Sequence, residues 1–227
     1  LCLEISRHKN IKFSRDASKV LETLASFASA FLTMQRFSSM QNEFQRQIII
    51  SMVSILEIYD NYTKGHSDSV ANCSLKIGAR LGLTQKQMKD LYWSGLLHDI
   101  GKILVSPDIV NKPGRLTIQE YEAIKKHPVY GYEVLNKSDQ LKDVAVYIKH
   151  HHERWDGNGY PDGLKEEGIP LISRIIAIAD SWDAMRTDRS YRKGLSTSQA
   201  IKEMGENSGK QFDPEILEVF LRMMSEE

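Results

Sequence analysis

The chain has 227 residues, enough for one full domain and an additional segment. Its 30 basic residues balance 30 acidic residues, which argues against bulk attraction to a nucleic acid polymer or a membrane surface. No apolar run approaches the length of a membrane span, and no signal peptide is evident. The two cysteines, Cys2 and Cys73, lack CxxC spacing and therefore indicate a reducing, cytoplasmic setting. Because the chain begins at Leu1 within an apolar run, we expect it to be cut from a longer protein.

The first sixty residues are predicted to form a short strand at residues 1–5 and then a long helix. Apolar residues at alternating spacings of four and three make a coiled-coil-type seam in this helix. The seam residues are Val20, Leu24, Phe27, Phe31 and Met34. Polar residues at 38, 41 and 45 interrupt the seam and are interpreted as a junction between two modules. The alternative is an ordinary amphipathic helix packed on its own domain.

The rest of the chain is predicted to be helices separated by loops. Thr84 is placed to cap a helix, and residues 117–120 have the spacing of a capping box. Glycines and a proline make residues 155–168 an irregular loop. A buried helix is predicted over residues 171–185, and the pair at residues 213–214, Asp-Pro, predicts the start of a final helix. No run alternates as a half-buried strand would, so the main domain is predicted to be all-α.

Histidines are concentrated in one part of the chain. Six of the seven lie between residues 66 and 152, namely His66, His98, His127, His150, His151 and His152. Imidazole and carboxylate are the ligands of borderline divalent metals. Five of these histidines with Asp99 and Asp180 are too many for one tetrahedral site. They suit two ions that share a bridging ligand, which is an arrangement used to hydrolyse phosphate esters.

The doublet His98-Asp99 favours a metal site over the structural role that a lone histidine usually has. Neighbouring side chains on a helix diverge by about 100°, so the two residues can reach two different ions. Asp99 and Asp180 both follow apolar segments, and a buried aspartate is costly unless it is paired or bound to a metal. Two buried acids and several histidines therefore explain each other as members of one site.

Several motifs resemble those of a known family. Residues 98–102, HDIGK, resemble the signature of the HD superfamily of metal-dependent phosphohydrolases. Residues 151–161, HHERWDGNGYP, resemble the signature of its HD-GYP subfamily. Residues 112–117, 180–185 and 189–192 are similar to further stretches of that subfamily, and the resemblance covers residues 48–222. Members are helical bacterial phosphodiesterases that hydrolyse cyclic di-GMP. The resemblance therefore implies an all-α, HD-domain helical bundle.

The resemblance also implies a ligand set for two metal ions. The implied ligands of one ion are His66, His98, Asp99 and Asp180, and those of the other are Asp99, His127, His151 and His152. The family's register leaves His150 outside the set, although spacing alone does not choose among the three consecutive histidines. Tyr62 stands where some members place a glutamate for a third ion. Two ions are therefore expected, and family habit indicates iron or manganese, while the ligand set does not exclude zinc.

The expected mechanism is attack on phosphorus by a water or hydroxide that bridges the two ions. The expected catalytic residues are Asp99 and Lys102, and the expected substrate-binding residues are Lys102, Tyr160, Arg189 and Arg192. Asp183 and Glu153 are expected to support a histidine or an arginine from behind. The alternatives are that the arginines are ordinary surface residues and that the loop carrying Tyr160 only folds over the core.

The predicted function is hydrolysis of cyclic di-GMP to pGpG, with further hydrolysis to GMP left open, in the output domain of a bacterial signalling protein. Two alternatives remain, namely hydrolysis of another cyclic dinucleotide such as a cyclic GMP-AMP, and a non-catalytic receptor. Residues 1–38 resemble the end of a GAF sensor domain. Residues 39–60 are predicted to be a linker helix running into an HD-GYP domain at residues 48–227, and a homodimer is expected through this linker.

Overall fold

The computed structural model of the chain describes residues 15–60, 65–188 and 193–226. The predicted all-α fold class is confirmed, and these described residues contain no β-strand. The strand predicted at residues 1–5 lies outside them. The α-helices are α1 (Arg15–Tyr59), α2 (His66–Arg80), α3 (Gln85–Leu97), α4 (Pro107–Val110), α5 (Ile118–Ile124), α6 (His127–Leu135), α7 (Lys142–Lys149), α8 (Leu171–Arg186), α9 (Thr197–Glu206) and α10 (Pro214–Glu226). Two 3₁₀ segments are η1 (Ile100–Leu104) and η2 (Glu166–Gly168).

The chain divides into two compact units between Ser51 and Met52. The described part of the first unit is the portion of α1 that ends at Ser51. The seam predicted from the sequence is exposed there, with 59% to 70% of the surface of its described side chains accessible. These side chains are Leu24, Phe27, Phe31 and Met34. None of the helices in the described ranges combines the length and the hydropathy needed to cross a bilayer.

The second unit is built around α8, which confirms the buried helix predicted over residues 171–185. Ile175, Ile176 and Ile178 have no accessible surface, because α2, α3 and α10 pack around this helix. The ring of Trp182 meets the ring of Phe220 in α10 edge to face, with centroids 5.3 Å apart. Burial of such apolar side chains contributes about 1.5–3 kcal/mol each and fixes α8 rigidly. The polar end of α8, which starts at residue 180, is thereby held in a defined place.

The predicted helix starts are confirmed by their hydrogen bonds. Thr84 and Thr117 each form a complete capping box, with Gln87 and Glu120 as the reciprocating residues. Asp213 accepts a hydrogen bond from the amide of residue 215 at 2.9 Å at the start of α10. A cap of this kind stabilises a helix by about 1 kcal/mol. The local sequence therefore determines where these three helices begin.

A close backbone contact sets the HD doublet against α6. A Cβ atom added at Gly101 in η1 would lie 1.9 Å from the carbonyl oxygen of His127 and 2.5 Å from the amide nitrogen of Gly131. The sequence predicts that the doublet lies inside a helix, but in the structure it lies at the end of α3. His98 has helical dihedral angles, while Asp99 has φ −95° and ψ 0° and precedes η1. The close approach of η1 to α6 is possible because residue 101 has no side chain.

Candidate metal centre

Six of the predicted ligands lie in two groups, each with its ligand atoms within 4.8 Å of one another. The first group is His66, His98 and Asp180, and the second is His127, His151 and His152. These residues come from α2, the end of α3, α6, the turn after α7, and α8. The groups adjoin, since the rings of His98 and His151 are 5.2 Å apart between centroids. Helices distant in the sequence thus bring together donors that could hold metal ions.

Asp99 lies between the two groups and faces both. Its Oδ2 atom is 3.4 Å from Nε2 of His98, and its Oδ1 atom is 3.2 Å from Nε2 of His127. The carboxylate is only 3% exposed. Burial by itself raises the pKa of Asp99, but the charge of Lys102 and the contacts with His98 and His127 outweigh it and hold that pKa well below its usual value. The carboxylate is therefore ionised and can offer one oxygen to each group.

In three of the histidines, a backbone carbonyl determines which ring nitrogen carries the proton. Each Nδ1 contacts the carbonyl oxygen three residues earlier: His98 contacts Gly95 (2.8 Å), His127 contacts Ile124 (2.7 Å) and His151 contacts Ile148 (2.5 Å). A carbonyl only accepts hydrogen bonds, so Nδ1 is the donor in each case. In the neutral ring Nε2 then carries the lone pair, which is the tautomer that a metal ligand requires.

Two observations show that these lone pairs fit a bound cation. Nε2 of His98 is buried and makes no hydrogen bond within the described part of the chain, which is costly for a polar atom. Nε2 of His127 and Nε2 of His151 face each other at 3.4 Å, although both rings use their Nδ1 protons elsewhere. Two facing lone pairs repel, and a cation between them removes the repulsion. The donor set therefore suits a divalent metal of the borderline class.

Two imidazoles of the second group, those of His151 and His152, are uncharged. Burial, followed by the neighbouring imidazoles of His152, His98 and His127, lowers the pKa of His151 well below its usual value. Burial and the imidazole of His127 lower the pKa of His152 to about 3. Both rings are therefore neutral near pH 7, as metal coordination requires.

His66 differs because two carboxylates contact it. Its Nδ1 lies 2.6 Å from Oδ2 of Asp183, and its Nε2 lies 3.3 Å from Oδ1 of Asp180. Burial lowers the pKa of His66, but the hydrogen bonds to Asp180 and Asp183 outweigh it and raise the pKa to about 10. The His66–Asp183 pair is the carboxylate–histidine arrangement that orients a metal ligand. A cation at Nε2 would replace the proton shared with Asp180.

Lys102 is held by two buried carboxylates. Its Nζ atom lies 2.8 Å from Oδ2 of Asp99 and 3.1 Å from Oδ2 of Asp60. Burial lowers the pKa of Lys102, but the two acids outweigh it, so its pKa is raised above the usual value. Sequence reasoning missed Asp60, which is 3% exposed at the end of α1. The sequence feature that could have indicated Asp60 is its position, since it is an acidic residue just after a helix and just before the histidine-rich region.

The loop at residues 155–168 lies against the second group, and Tyr160 is its point of contact. The ring of Tyr160 lies 4.9 Å from the ring of His152 between centroids, with 32° between the planes. Its backbone amide donates to the carbonyl oxygen of His152 at 3.2 Å. Burial raises the pKa of Tyr160, so its phenol stays protonated near neutral pH. The loop therefore contacts a candidate metal ligand directly.

Glu153 has a different partner from the one that the sequence suggested. Its buried carboxylate accepts hydrogen bonds from the amides of Asp162 (2.7 Å), Gly163 (3.1 Å) and Leu164 (3.1 Å), not from a histidine or an arginine. The reason is that the chain reverses after Tyr160 and turns three successive amides toward residue 153. Glu153, which directly follows the predicted ligands His151 and His152, thus holds residues 162–164 of the loop in place.

His150 points away from both groups. Its Nε2 lies 3.0 Å from Oδ2 of Asp162, and its Nδ1 lies 2.9 Å from the carbonyl oxygen of Val146. This placement agrees with the motif register that set His150 aside. Three other positions discussed from the sequence, Tyr62, Arg189 and Arg192, lie outside the described residues.

Comparison with known proteins identifies the family. Residues 51–216 match the family model described as HD domain, so the chain belongs to the HD domain family. The match begins after the segment at residues 1–38, and a GAF-like end there stays a prediction.

Several curated relatives are similar to the chain. It is 36% identical over 196 residues to a cyclic di-GMP phosphodiesterase of Thermotoga maritima, covering 86% of this chain and 53% of that protein. It is 39% identical over 175 residues to cyclic di-GMP phosphodiesterase PA4108 of Pseudomonas aeruginosa, covering 77% and 42%. It is 34% identical over 186 residues to 3′3′-cGAMP-specific phosphodiesterase 2 of Vibrio cholerae, covering 81% and 36%. The chain thus spans about half or less of these relatives.

Solved structures show the same fold. A cyclic GMP-AMP specific phosphodiesterase of V. cholerae, V-cGAP3, aligns with a TM-score of 0.62 at 24% identity, covering 78% of this chain and 48% of that one. The HD domain of phosphodiesterase PgpH from L. monocytogenes, in complex with cyclic-di-AMP, aligns with a TM-score of 0.56 at 18% identity, covering 77% and 93%. At these identities the likeness establishes the HD-type helical fold alone.

Proposed function

We propose that the chain is a metal-dependent phosphodiesterase that opens cyclic di-GMP to linear pGpG, with further hydrolysis to GMP left to the product assay below. The observation that carries the proposal is the position of Asp99, which extends one carboxylate oxygen toward each of two adjacent ligand groups. Such a bridging carboxylate suits two ions that act on one phosphate. The substrate is supported by relatives named cyclic di-GMP phosphodiesterases.

The cofactor in this proposal is a pair of divalent ions, iron or manganese. Each ligand group would supply three residues to one ion, and Asp99, which faces both groups, would supply a carboxylate oxygen to each. Bound ions of this kind lower the pKa of a water molecule to near neutrality and neutralise charge on the phosphate oxygens. The protein holds the donors: backbone carbonyls orient His98, His127 and His151, and Asp183 orients His66.

Positive side chains complete the proposed substrate site. The ammonium of Lys102, held beside Asp99, offers a fixed positive charge next to the phosphate position, and Asp60 keeps it there. We propose that Arg189 and Arg192 clamp phosphate oxygens, as guanidinium groups do with bidentate geometry. Tyr160 is proposed to line the substrate side of the loop, since its ring lies against the candidate ligand His152.

The decisive experiment measures metal content and product together. The purified chain is loaded with Mn²⁺ or Fe²⁺, incubated with cyclic di-GMP, and its products pGpG and GMP are separated by ion-pair chromatography. We expect turnover with about two ions per chain. Asp99→Ala should abolish activity and lower metal content, while Asp108→Ala, an exposed aspartate on α4, should leave both unchanged. Full activity in the Asp99 variant would refute the mechanism.

A second candidate substrate is a cyclic GMP-AMP. It is supported by the 34% identity to 3′3′-cGAMP-specific phosphodiesterase 2. Parallel assays with both nucleotides decide between them by the ratio of kcat/KM values. Binding of nucleotide without turnover, with both ions present, would instead indicate a non-catalytic receptor.

We also propose that the chain is the output part of a cytoplasmic bacterial signalling protein that dimerises through α1. The exposed seam of Leu24, Phe27, Phe31 and Met34 supports a second copy as its partner, because a four-three apolar spacing is self-complementary in a coiled coil. In this proposal residues 39–60 link a GAF-like end at residues 1–38 to the HD-GYP domain at residues 48–227. Light scattering should give a dimer that Phe27→Glu with Phe31→Glu converts to a monomer. A monomeric wild-type chain at high concentration would contradict the proposal.

A further inference from the structure

A row of aromatic and cationic side chains leads from the metal centre toward solvent. It begins at His152, whose ring lies against the ring of Tyr160 with centroids 4.9 Å apart. The Nζ atom of Lys125 lies 5.3 Å from the centroid of the Tyr160 ring and 5.7 Å from that of the Tyr121 ring. A ligand phosphate bound at the ions would therefore have this row beside it.

The two ends of the row differ in exposure. The Tyr160 ring is mostly covered, because it packs against His152 and carries Lys125 over it. Tyr121 on α5 is 51% exposed, so its ring is accessible to a planar partner. Aromatic faces stack with nucleobases, and this stacking tolerates any base. Tyr121 thus offers affinity without selectivity.

The backbone of Lys125 is held in place, but its ammonium forms only a weak ion pair. It caps the end of α5, two residues before His127, so its backbone is tied to the second ligand group. Its ammonium contacts Glu122 at 3.0 Å, and Glu122 is 59% exposed. Exposed ion pairs of this kind contribute little, and contacts with tyrosine rings hold a cation without using all its hydrogen bonds. The ammonium can therefore exchange Glu122 for an acceptor on a ligand.

We propose that Tyr121 and Lys125 form the base-recognition part of the cyclic dinucleotide site and that Lys125 selects guanine. Guanine presents two adjacent acceptors, O6 and N7, to a cation. Adenine presents an amino group in place of O6, which repels an ammonium. The Lys125 ammonium lies 5.7 Å from the centroid of the Tyr121 ring, so its flexible side chain can reach the edge of a base stacked on Tyr121 once it leaves Glu122. The inference rests on the proposed function and deepens it by assigning the residue that distinguishes guanine from adenine.

The test compares dissociation constants for cyclic di-GMP and cyclic di-AMP, measured by calorimetry with Mn²⁺ bound. Lys125→Met keeps most of the length of the unbranched side chain and removes its charge. We expect it to weaken cyclic di-GMP binding about tenfold and cyclic di-AMP binding less than about twofold. Lys126→Met, which removes an exposed charge at the neighbouring position, is the matched control and should change neither. Tyr121→Ala should weaken both nucleotides alike, and Tyr121→Phe should weaken neither.

The outcomes separate the inference from the proposed function. Unchanged cyclic di-GMP binding by Lys125→Met, or equal losses for both nucleotides, would overturn guanine selection while leaving the phosphodiesterase intact. Hydrolysis of bis(p-nitrophenyl) phosphate, which has no purine, measures the chemistry of the metal centre in the wild-type chain separately from base recognition. A wild-type chain that cleaves this ester but binds no cyclic dinucleotide would refute the proposed function, and this inference with it.

Discussion

The loop that carries Tyr160 depends on one buried carboxylate, and Glu153→Gln tests this dependence. In the structure Oε1 of Glu153 accepts hydrogen bonds from the amides of Asp162 and Gly163, and Oε2 accepts one from the amide of Leu164. The variant preserves the shape of the side chain. It removes the charge and turns one acceptor oxygen into a donor NH₂ group.

The expected cost follows from these three bonds. The amide oxygen of glutamine can keep the bonds from residues 162 and 163, but each loses the added strength of a charged acceptor. The NH₂ group faces the amide of residue 164 donor to donor, so that bond is lost. A hydrogen bond to a charged group contributes about 1.5–3 kcal/mol, and a partly buried amide left unsatisfied adds to the loss. We expect the free energy of unfolding to fall by about 3 kcal/mol.

Equilibrium unfolding in guanidinium chloride measures this change. Glu167→Gln is the control, because it makes the same chemical change at an exposed position in the same loop and should stay within about 0.5 kcal/mol of wild type. Amide hydrogen exchange should also accelerate at residues 162–164 in Glu153→Gln. If Glu153→Gln were as stable as Glu167→Gln, the carboxylate would not be what holds the loop.

Three further changes have defined outcomes. Gly101→Ala should lower the free energy of unfolding by several kcal/mol and reduce activity, because its Cβ would meet the His127 carbonyl oxygen at 1.9 Å. The control Gly205→Ala, which has open space around it, should be neutral or stabilising. Equal melting temperatures for the two variants would contradict the close contact. Asp60→Ala should destabilise by about 3 kcal/mol in denaturant unfolding, since it leaves Lys102 one buried carboxylate short, and a neutral result would show that the pair is unimportant. Chelation should lower the melting temperature, since an ion at 1,000 times its Kd stabilises by about 4 kcal/mol; an unchanged temperature would argue against bound ions.

Local patterns in the sequence were sufficient to predict most helix starts. Thr84 and Thr117 form their capping boxes within four residues of chain, and the pair at residues 213–214 starts α10 as expected. These features involve neighbours in sequence, so no knowledge of the fold was needed. The roles of Asp60 and Glu153 could not be predicted this way. The partner of Asp60 is a lysine 42 residues away, and that of Glu153 is a backbone turn whose path depends on the loop.

The sequence by itself determined the ligand types, the order of the motifs, the all-α class and the HD family, because these depend on which residues are present and how they are spaced. The family resemblance implied two ligand groups that share Asp99, but only the tertiary structure gave the distances within each group and the oxygen atom of Asp99 that faces each one. It also showed that the Lys102 ammonium lies between two carboxylates and that the Lys125 ammonium lies over the ring of Tyr160. The physical reason is that these contacts join helices far apart in the chain, and their geometry follows from the packing of α8 and the close approach at Gly101.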